Sequence, residues 1–301
     1  MPLGRLFGRK ASGERIGIRV SNDTLTLCRF RAGAPHTISA ESLSYRSDIT
    51  FEQTLATGEA LPPNASDCQL VVGPSYYHIV QVDRPAVDDA EIAQALSWAI
   101  KDLVPIAPEN MILDYFELPV QPAGANKLNV VCADIQVLKP MVDGIHAAKL
   151  PLSGIAVDEL TLPKLFPVTD EAQLLLVQQA NEELLLLIVK QGMLFFSRRI
   201  RGYDLLVSMT GEELRAGVVD NLSLEVQRSL DYFESQLRQA PVKQIVVALP
   251  GDNTPLLLEL MSANFFIPVV TFEPEVAISA NLNSGELLSF AGVFAAGMGD
   301  E

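Results

Sequence analysis

Two three-stranded meanders, about half a chain apart, constrain this sequence more than anything else in it. The first runs through residues 15–20, a Ser21-Asn22-Asp23 turn, residues 24–30, a break at Gly33 and Pro35, and residues 36–44. The second runs through residues 173–178, a turn at Ala180-Asn181-Glu182-Glu183, residues 184–190, a Gln191-Gly192 turn, and residues 193–200. Short apolar runs bounded by Gly, Asn, Asp and Ser read as strands joined by tight turns. The same pattern written twice indicates a duplicated fold with a cleft between its halves. What stands at the two first turns then decides what that cleft can hold.

The 301 residues are enough to bury roughly three-quarters of the unfolded surface and to divide into lobes. With 49% hydrophobic and 20% charged residues, the chain is globular rather than disordered or fibrous. Its longest purely apolar run, residues 184–189, is far too short to span a bilayer and is closed by Glu182, Glu183 and Lys190, so any membrane contact is expected to be peripheral. A net charge of -15 argues against nucleic acid, whose phosphates are held by clustered Lys and Arg, and favours a basic partner. Residues 1–13 run against that trend: Arg5, Arg9 and Lys10 interleave with Leu3, Leu6 and Phe7, and Arg15 lies just beyond. This basic leader reads as a solvated segment, with a weak hold on anionic lipid headgroups as the alternative.

Cys28, Cys68 and Cys132 are odd in number and embedded in apolar stretches, as buried thiols in a reducing compartment would be. His36, His78 and His146 are scattered without metal-ligand spacing, so no metal is expected. Neither a Gly-x-Ser-x-Gly elbow nor a Walker-type loop occurs in the chain.

Between the meanders, residues 51–59 read as a helix stopped by Pro62 and Pro63, and residues 68–72 as a buried strand. Gly73-Pro74-Ser75 turns the chain into a strand over 76–82, which completes a first-lobe segment, residues 14–81. The pattern then changes. Asp88-Asp89 opens an amphipathic helix marked by Ile92, Leu96, Ala99, Ile100 and Leu103 and closed by Pro105. Strands over 111–118 and 128–137, then a helix over 139–148, make residues 82–150 an α+β insert, and residues 151–170 return to the first lobe. The second lobe starts with residues 171–209. Residues 210–243 are helical, with Leu222, Leu230, Phe233 and Leu237 on one stripe and Pro241 as the stop. Residues 244–301 finish it with strand 245–249, the Pro250-Gly251-Asp252-Asn253 turn, a helix from Pro255 to Ala263 capped by Asn253 or Thr254, strand 268–271, and a Gly- and Ala-rich helix over 286–298.

Meander, helix and strand, repeated and ending in a small-residue helix, resembles the layout of the actin, Hsp70 and sugar-kinase group. Residues 90–106, AEIAQALSWAIKDLVPI, followed by Leu113-Asp114-Tyr115, look like the insert of PilM-type type IV pilus assembly proteins. Residues 225–236, EVQRSLDYFESQ, look like the second-lobe helix of the same proteins. The resemblance spans about residues 14–298 and is strongest to the smaller homologue serving mannose-sensitive haemagglutinin (MSHA) pili. It implies an α/β, actin-like fold: two duplicated RNase H-like lobes with a small α+β insert of the FtsA/PilM type. It also implies a cytoplasmic scaffold at the inner membrane of a Gram-negative bacterium. A groove between first lobe and insert would receive the N-terminal tail of a PilN-like inner-membrane protein, with other pilus platform components or a second copy of the chain as further partners. On this chain the groove candidates are Tyr76, Tyr77, Ile79, Trp98 and Leu103.

In nucleotide-binding members of the group, each first turn follows an Asp and contains Gly, so that backbone N–H groups cradle phosphate beside a metal ion. Here Arg19 and Ser21 stand at those positions in the first lobe, and Gln178 and Ala180 in the second. Glu182 and Glu183 follow, and like charges about 4 Å apart repel by roughly 1 kcal/mol in water and roughly 4 kcal/mol at an effective dielectric of 20. Pro250-Gly251 replaces the later Gly-Gly turn, at the loss of one N–H donor. If nucleotide binding is retained, the resemblance assigns it to Ser21, Asn22, Gln178, Glu225, Arg228, Gly251, Gly292 and Gly297. The expectation is otherwise: a degenerate cleft without catalysis, ATP or magnesium. Arg19 has two fates, either attracting phosphate or pairing with a nearby acid. The rival readings are an ATP-binding ATPase or nucleotide-gated switch of pilus or type II secretion assembly, and, more remotely, a filament-forming actin-like protein. A sugar or acid kinase would need a carboxylate base that no position here recommends.

Overall fold

The computed structural model describes residues 13–31, 37–45, 49–165, 168–179, 181–249 and 251–273. The basic leader, Ala180, Pro250 and the helix expected over 286–298, with Gly292 and Gly297, lie outside the described residues.

The first meander is β1 (Glu14–Val20), β2 (Thr24–Arg31) and β3 (Thr37–Ser44). A short helix, α1 (Phe51–Leu55), is closed at its start by a capping box in which Thr50 and Gln53 satisfy each other's backbone N–H, and it leads to β4 (Ala65–Val72). After a 3-10 turn over Pro74–Tyr76 comes β5 (Tyr77–Asp83), then α2 (Ile92–Ile100), β6 (Met111–Phe116), β7 (Lys127–Asp134) and α3 (Ile135–Ala147). The chain returns through β8 (Leu152–Val157) and a single turn, α4 (Asp158–Thr161). The second half is β9 (Gln173–Val177), β10 (Leu184–Lys190), β11 (Met193–Ile200), α5 (Gly211–Glu213), α6 (Val219–Ser235), β12 (Gln244–Ala248), α7 (Thr254–Asn264) and β13 (Val269–Thr271).

The duplication holds at the level of strand pairing. One sheet has the order β3-β2-β1-β4-β8 and the other β11-β10-β9-β12-β13: in each, an antiparallel meander is extended by two parallel strands on the side of its first strand. Alternation along each strand sends neighbouring side chains to opposite faces. Ile16, Ile18 and Val20 enter the first-lobe core, while Leu174 and Leu176 enter the second-lobe core beside Leu222, Val226 and Phe233 of α6. The other faces of the two sheets meet. Cys28 and Phe30 pack with Leu175, Val177, Leu185 and Leu187 in one buried cluster, so the lobes share an apolar seam. Each fully buried Leu or Val contributes about 1.5–3 kcal/mol relative to exposure. Cys28, Cys68 and Cys132 are buried as expected, and burial pushes the thiols of Cys28 and Cys68 up to about 12.

A third sheet, β5-β7-β6, is covered on one face by Ile92, Leu96 and Ile100 of α2. Two helices differ from the sequence expectation. The expected strand 128–137 stops at Asp134, whose carboxylate accepts from the Gln136 N–H and caps α3 earlier than the apolar Val137 and the breaker Pro140 indicated. Although it falls within residues 82–150, α3 packs on the first-lobe core through Leu138, Met141 and Ile145. The helical stretch after Thr210 is also interrupted, because Gly217 at φ +95° breaks it between α5 and α6.

Candidate functional site

The first turns of the two lobes face each other, and Arg19 stands between them. Ile18 and Val20 point into the first-lobe core, so Arg19 projects from the opposite face of β1. Its Nε donates to Asp158 at 3.1 Å and its Nη2 to the other Asp158 oxygen at 2.6 Å and to Glu182 at 2.8 Å. Asp158 opens α4 at the end of β8, and Glu182 comes from the second-lobe turn. All three are buried. Burial pulls the guanidinium's pKa down, but the charges of Asp158 and Glu182 more than offset it and raise it above its ordinary value. For Glu182 burial wins over Arg19, which already serves Asp158, and the carboxyl is pushed up to about 7. Among the described residues its Oε1 is buried without a partner, as is Oε1 of Gln178. The rest of the junction is closed by Asn22, which donates to the Asn181 carbonyl at 3.0 Å, and by Asn181, which donates to Asp23 at 3.0 Å. Between Asp158, Gln178 and Glu182 about 10 Å³ remains, roughly the space of one water.

Of the residues assigned to a nucleotide, Ser21 binds Thr24 of its own turn, and Gln178 donates to the carbonyls of Glu182 and Tyr203. Gly251 sits against the Val207 carbonyl, which leaves no room for a side chain. Glu225 and Arg228, on α6, pair with each other, and Glu225 also accepts from Arg198 at 2.6 Å. The structure therefore brings Asn22, Ser21 and Gln178 to one junction and sets Glu225 and Arg228 in another pocket. Among the described residues no group of three or more His, Cys, Asp or Glu side chains is placed to hold a metal.

A cleft of about 640 Å³ opens between the insert and the second lobe. One wall is β5, an edge strand with β7 on one side only; the other includes β11, the edge strand of the second-lobe sheet. Phe116, Leu118 and Phe196 give it apolar lining, and Arg198, Arg199 and Arg201 give it charge. Arg199 ties the two walls together: it bonds Glu159 of α4 at 3.2 Å, Glu183 at 3.2 Å and the Pro74 carbonyl at 2.9 Å, and its guanidinium lies 4.7 Å from the Tyr77 ring centroid. Tyr77 donates its hydroxyl to Glu159. Burial pushes the Glu159 carboxyl up, with Arg199 opposing.

Of the five groove candidates, only Ile79 and Leu103 line this cleft. Tyr77 is buried beneath it, Tyr76 turns away to donate to the Ser21 carbonyl, and Trp98 is exposed on the outside of α2 under Lys101. A helix stripe does not say which turn of the helix faces a cleft. Sequence reasoning missed Asp158, Glu159 and Arg199 altogether. Their signals were present: an Asp-Glu pair closing an apolar strand, and three arginines within Ser197-Arg198-Arg199-Ile200-Arg201 in an acidic chain.

No family profile and no curated protein sequence matches this chain. Solved structures do. A type IV pilus biogenesis complex, PilM-PilN, aligns over 96% of this chain and 98% of the other with a TM-score of 0.70 at 16% identity. A Bacteroides thetaiotaomicron protein with an actin-like ATPase fold and unknown function aligns over 95% and 99% with a TM-score of 0.57 at 12% identity. The fold is actin-like. The cytoplasmic domain of EpsL, an inner-membrane component of the type II secretion system of Vibrio cholerae, shares it over 93% of this chain and 95% of the other, with a TM-score of 0.54 at 12% identity. On this actin-like frame, the junction of the two first turns is filled by Arg19 and its carboxylates, and the larger opening lies beside the insert. Among the described residues, no helix is long and apolar enough to cross a membrane.

Proposed function

We propose that this chain is a non-catalytic scaffold of a type IV pilus assembly platform of the MSHA kind, working at the cytoplasmic face of the inner membrane. Its cleft beside the insert receives an extended segment of a PilN-like membrane partner. One observation carries the reading: among the described residues the pocket beside Asp158, Gln178 and Glu182 holds only about 10 Å³, while a cleft of about 640 Å³ stands between two sheet edges. The larger volume is within the range of ligand-binding clefts, and an edge strand offers unpaired N–H and C=O groups to an incoming strand. Arg19 pairs with both oxygens of Asp158 and with one oxygen of Glu182, so a cation would have to compete with a guanidinium already in place, and an entering phosphate would meet both carboxylates. The likeness to a PilM-PilN complex supports a PilN-like partner.

The test is a pull-down of the full chain with the N-terminal cytoplasmic peptide of the PilN-like protein from the same organism, beside a titration with fluorescent ATP and magnesium. Peptide capture at low salt with no saturation by millimolar nucleotide is the expected pair of results. No capture rejects the scaffold, and saturable nucleotide binding restores the nucleotide-gated reading.

A further inference from the structure

Arg198, Arg199 and Arg201 border two openings at once: the cleft beside the insert and a second pocket of about 560 Å³ on the second lobe, which Arg228 also lines. The two openings therefore share these three arginines as a common border. Among the described residues Glu225 is the only carboxylate lining the second pocket, and it is shared by Arg198 and Arg228. Arg199 is committed to Glu159 and Glu183. Arg201 is exposed and, among the described residues, pairs with no carboxylate. In a chain of net charge -15 this is a local inversion of sign.

Backbone groups on the other wall have a defined direction. Arg199 Nη1 reaches the Tyr77 carbonyl from the cleft side, and the Arg84 N–H bonds the Asn126 carbonyl on the β7 side. In an antiparallel ladder the N–H and C=O of one residue point the same way and alternate along the strand. Ile79 and Gln81, in phase with Tyr77, thus turn their backbone groups to the free edge.

Resting on the peptide-docking reading above, we propose that the cleft selects an extended partner segment in which apolar residues are accompanied by a carboxylate. The backbone of that segment pairs with Ile79 and Gln81, its apolar side chains lie against Phe196 on the facing wall, and its carboxylate is received by Arg201 with Arg198 and Arg228. Net charge alone pointed to a basic partner; the local arginines select the opposite sign at this site. A guanidinium binds carboxylate through charge-assisted, often two-pronged hydrogen bonds, which makes the site selective for acid over amide.

The experiment is selection of random peptides displayed on phage against the full chain at low salt, followed by anisotropy titration of one labelled selected peptide. The expected result is enrichment of Asp or Glu beside aliphatic residues, a loss of about tenfold or more in affinity for Arg201→Glu, and recovery when the acid of the peptide is exchanged for Lys. Gln81→Pro removes a cleft-facing N–H from an exposed edge position, where proline is tolerated, and is expected to weaken every selected peptide. If Gln81→Pro weakens binding but Arg201→Glu does not, or if basic peptides are enriched, the acidic preference is overturned and the cleft reading stands. If neither variant changes binding, or no peptide is selected, both fall. Displacement of the peptide by inorganic phosphate at the concentration of unlabelled peptide needed for the same effect marks a small-anion pocket and overturns the docking proposal.

Discussion

Arg19 of the first lobe and Glu182 of the second meet at 2.8 Å with both side chains 2% exposed, at the junction of the two first turns. Asp158, from the end of β8, completes the cluster at 2.6 Å. One guanidinium thus holds two carboxylates from different parts of the chain, and the lobes are tied where the sequence comparison with nucleotide-binding proteins would have put phosphate.

Replacing Arg19 by Met leaves Asp158 and Glu182 buried without a counter-charge. Breaking a buried ion pair from one side costs about 3–5 kcal/mol, and the expected loss for Arg19→Met in urea unfolding is of that order. A second variant, Arg19→Met with Asp158→Leu and Glu182→Leu, is expected to recover most of it, because an apolar replacement of a whole buried cluster is often neutral. An Arg19→Met loss under about 1 kcal/mol would mean that water reaches the junction freely.

Glu182 gives a pH dependence of fixed sign. Its folded-state pKa of about 7 lies above the ordinary carboxylate value of about 4.3, so between these values the folded protein holds a proton that the unfolded chain releases. Stability from this group is fully present below pH of about 4.3, falls as pH rises toward 7, and levels off above it. Glu159, also raised by burial, adds a dependence of the same sign. The comparison that isolates Glu182 is wild type against Glu182→Gln across pH 5 to 8: the variant is expected to lose less stability over this span, and parallel profiles would refute the assignment.

Much of this architecture was legible beforehand. The two meanders, with Ile18 and Val20 alternating against Arg19, and Leu174 and Leu176 against Leu175, gave both sheets and their buried faces, because strand alternation is a local property. The junction was half legible. Arg19, Gln178 and Glu182 stood out as replacements, but the partner that decides the fate of Arg19 is Asp158, far away in sequence, and no local pattern announces that pairing. The cleft was less legible still. Ile79 and Leu103 reach it, while Trp98 faces outward, since helical spacing identifies a buried stripe and not what lies beyond the helix ends.

Gly73 explains how tightly the junction is built. A Cβ at this position would lie 2.6 Å from Glu182 Oε1, 3.0 Å from the Val20 carbonyl and 3.3 Å from Arg19 Nη2. The carboxylate of Glu182 therefore needs a residue without a side chain beneath it. Gly73→Ala is expected to lower stability by about 1–3 kcal/mol through overpacking and to speed amide hydrogen exchange at Ser21 and Gly73, whose N–H groups are bonded in the first turn and to Val20. Unchanged exchange at both sites would show that Glu182 moves aside without loss.

Arg199 and Glu159 form the second tie between the lobes, and here the coupling can be measured directly. Glu159 is 1% exposed in its side chain and accepts from Tyr77 and Arg199; Arg199 is 20% exposed, so solvent screens part of the pair. Arg199→Ala removes the partly buried cation and leaves Glu159 with the Tyr77 hydroxyl as its remaining side-chain donor. An expected loss of about 2–3 kcal/mol is below the full cost of orphaning a completely buried pair, in keeping with that exposure. Glu159→Gln keeps the shape and removes the charge. In a double-mutant cycle with these two changes, the coupling energy is expected to exceed about 1 kcal/mol, a value reached by residues that share one network and not by independent ones. Additive losses would mean that Glu159 does not share in holding Arg199, which is then kept in place by Glu183, the Pro74 carbonyl and the Tyr77 ring.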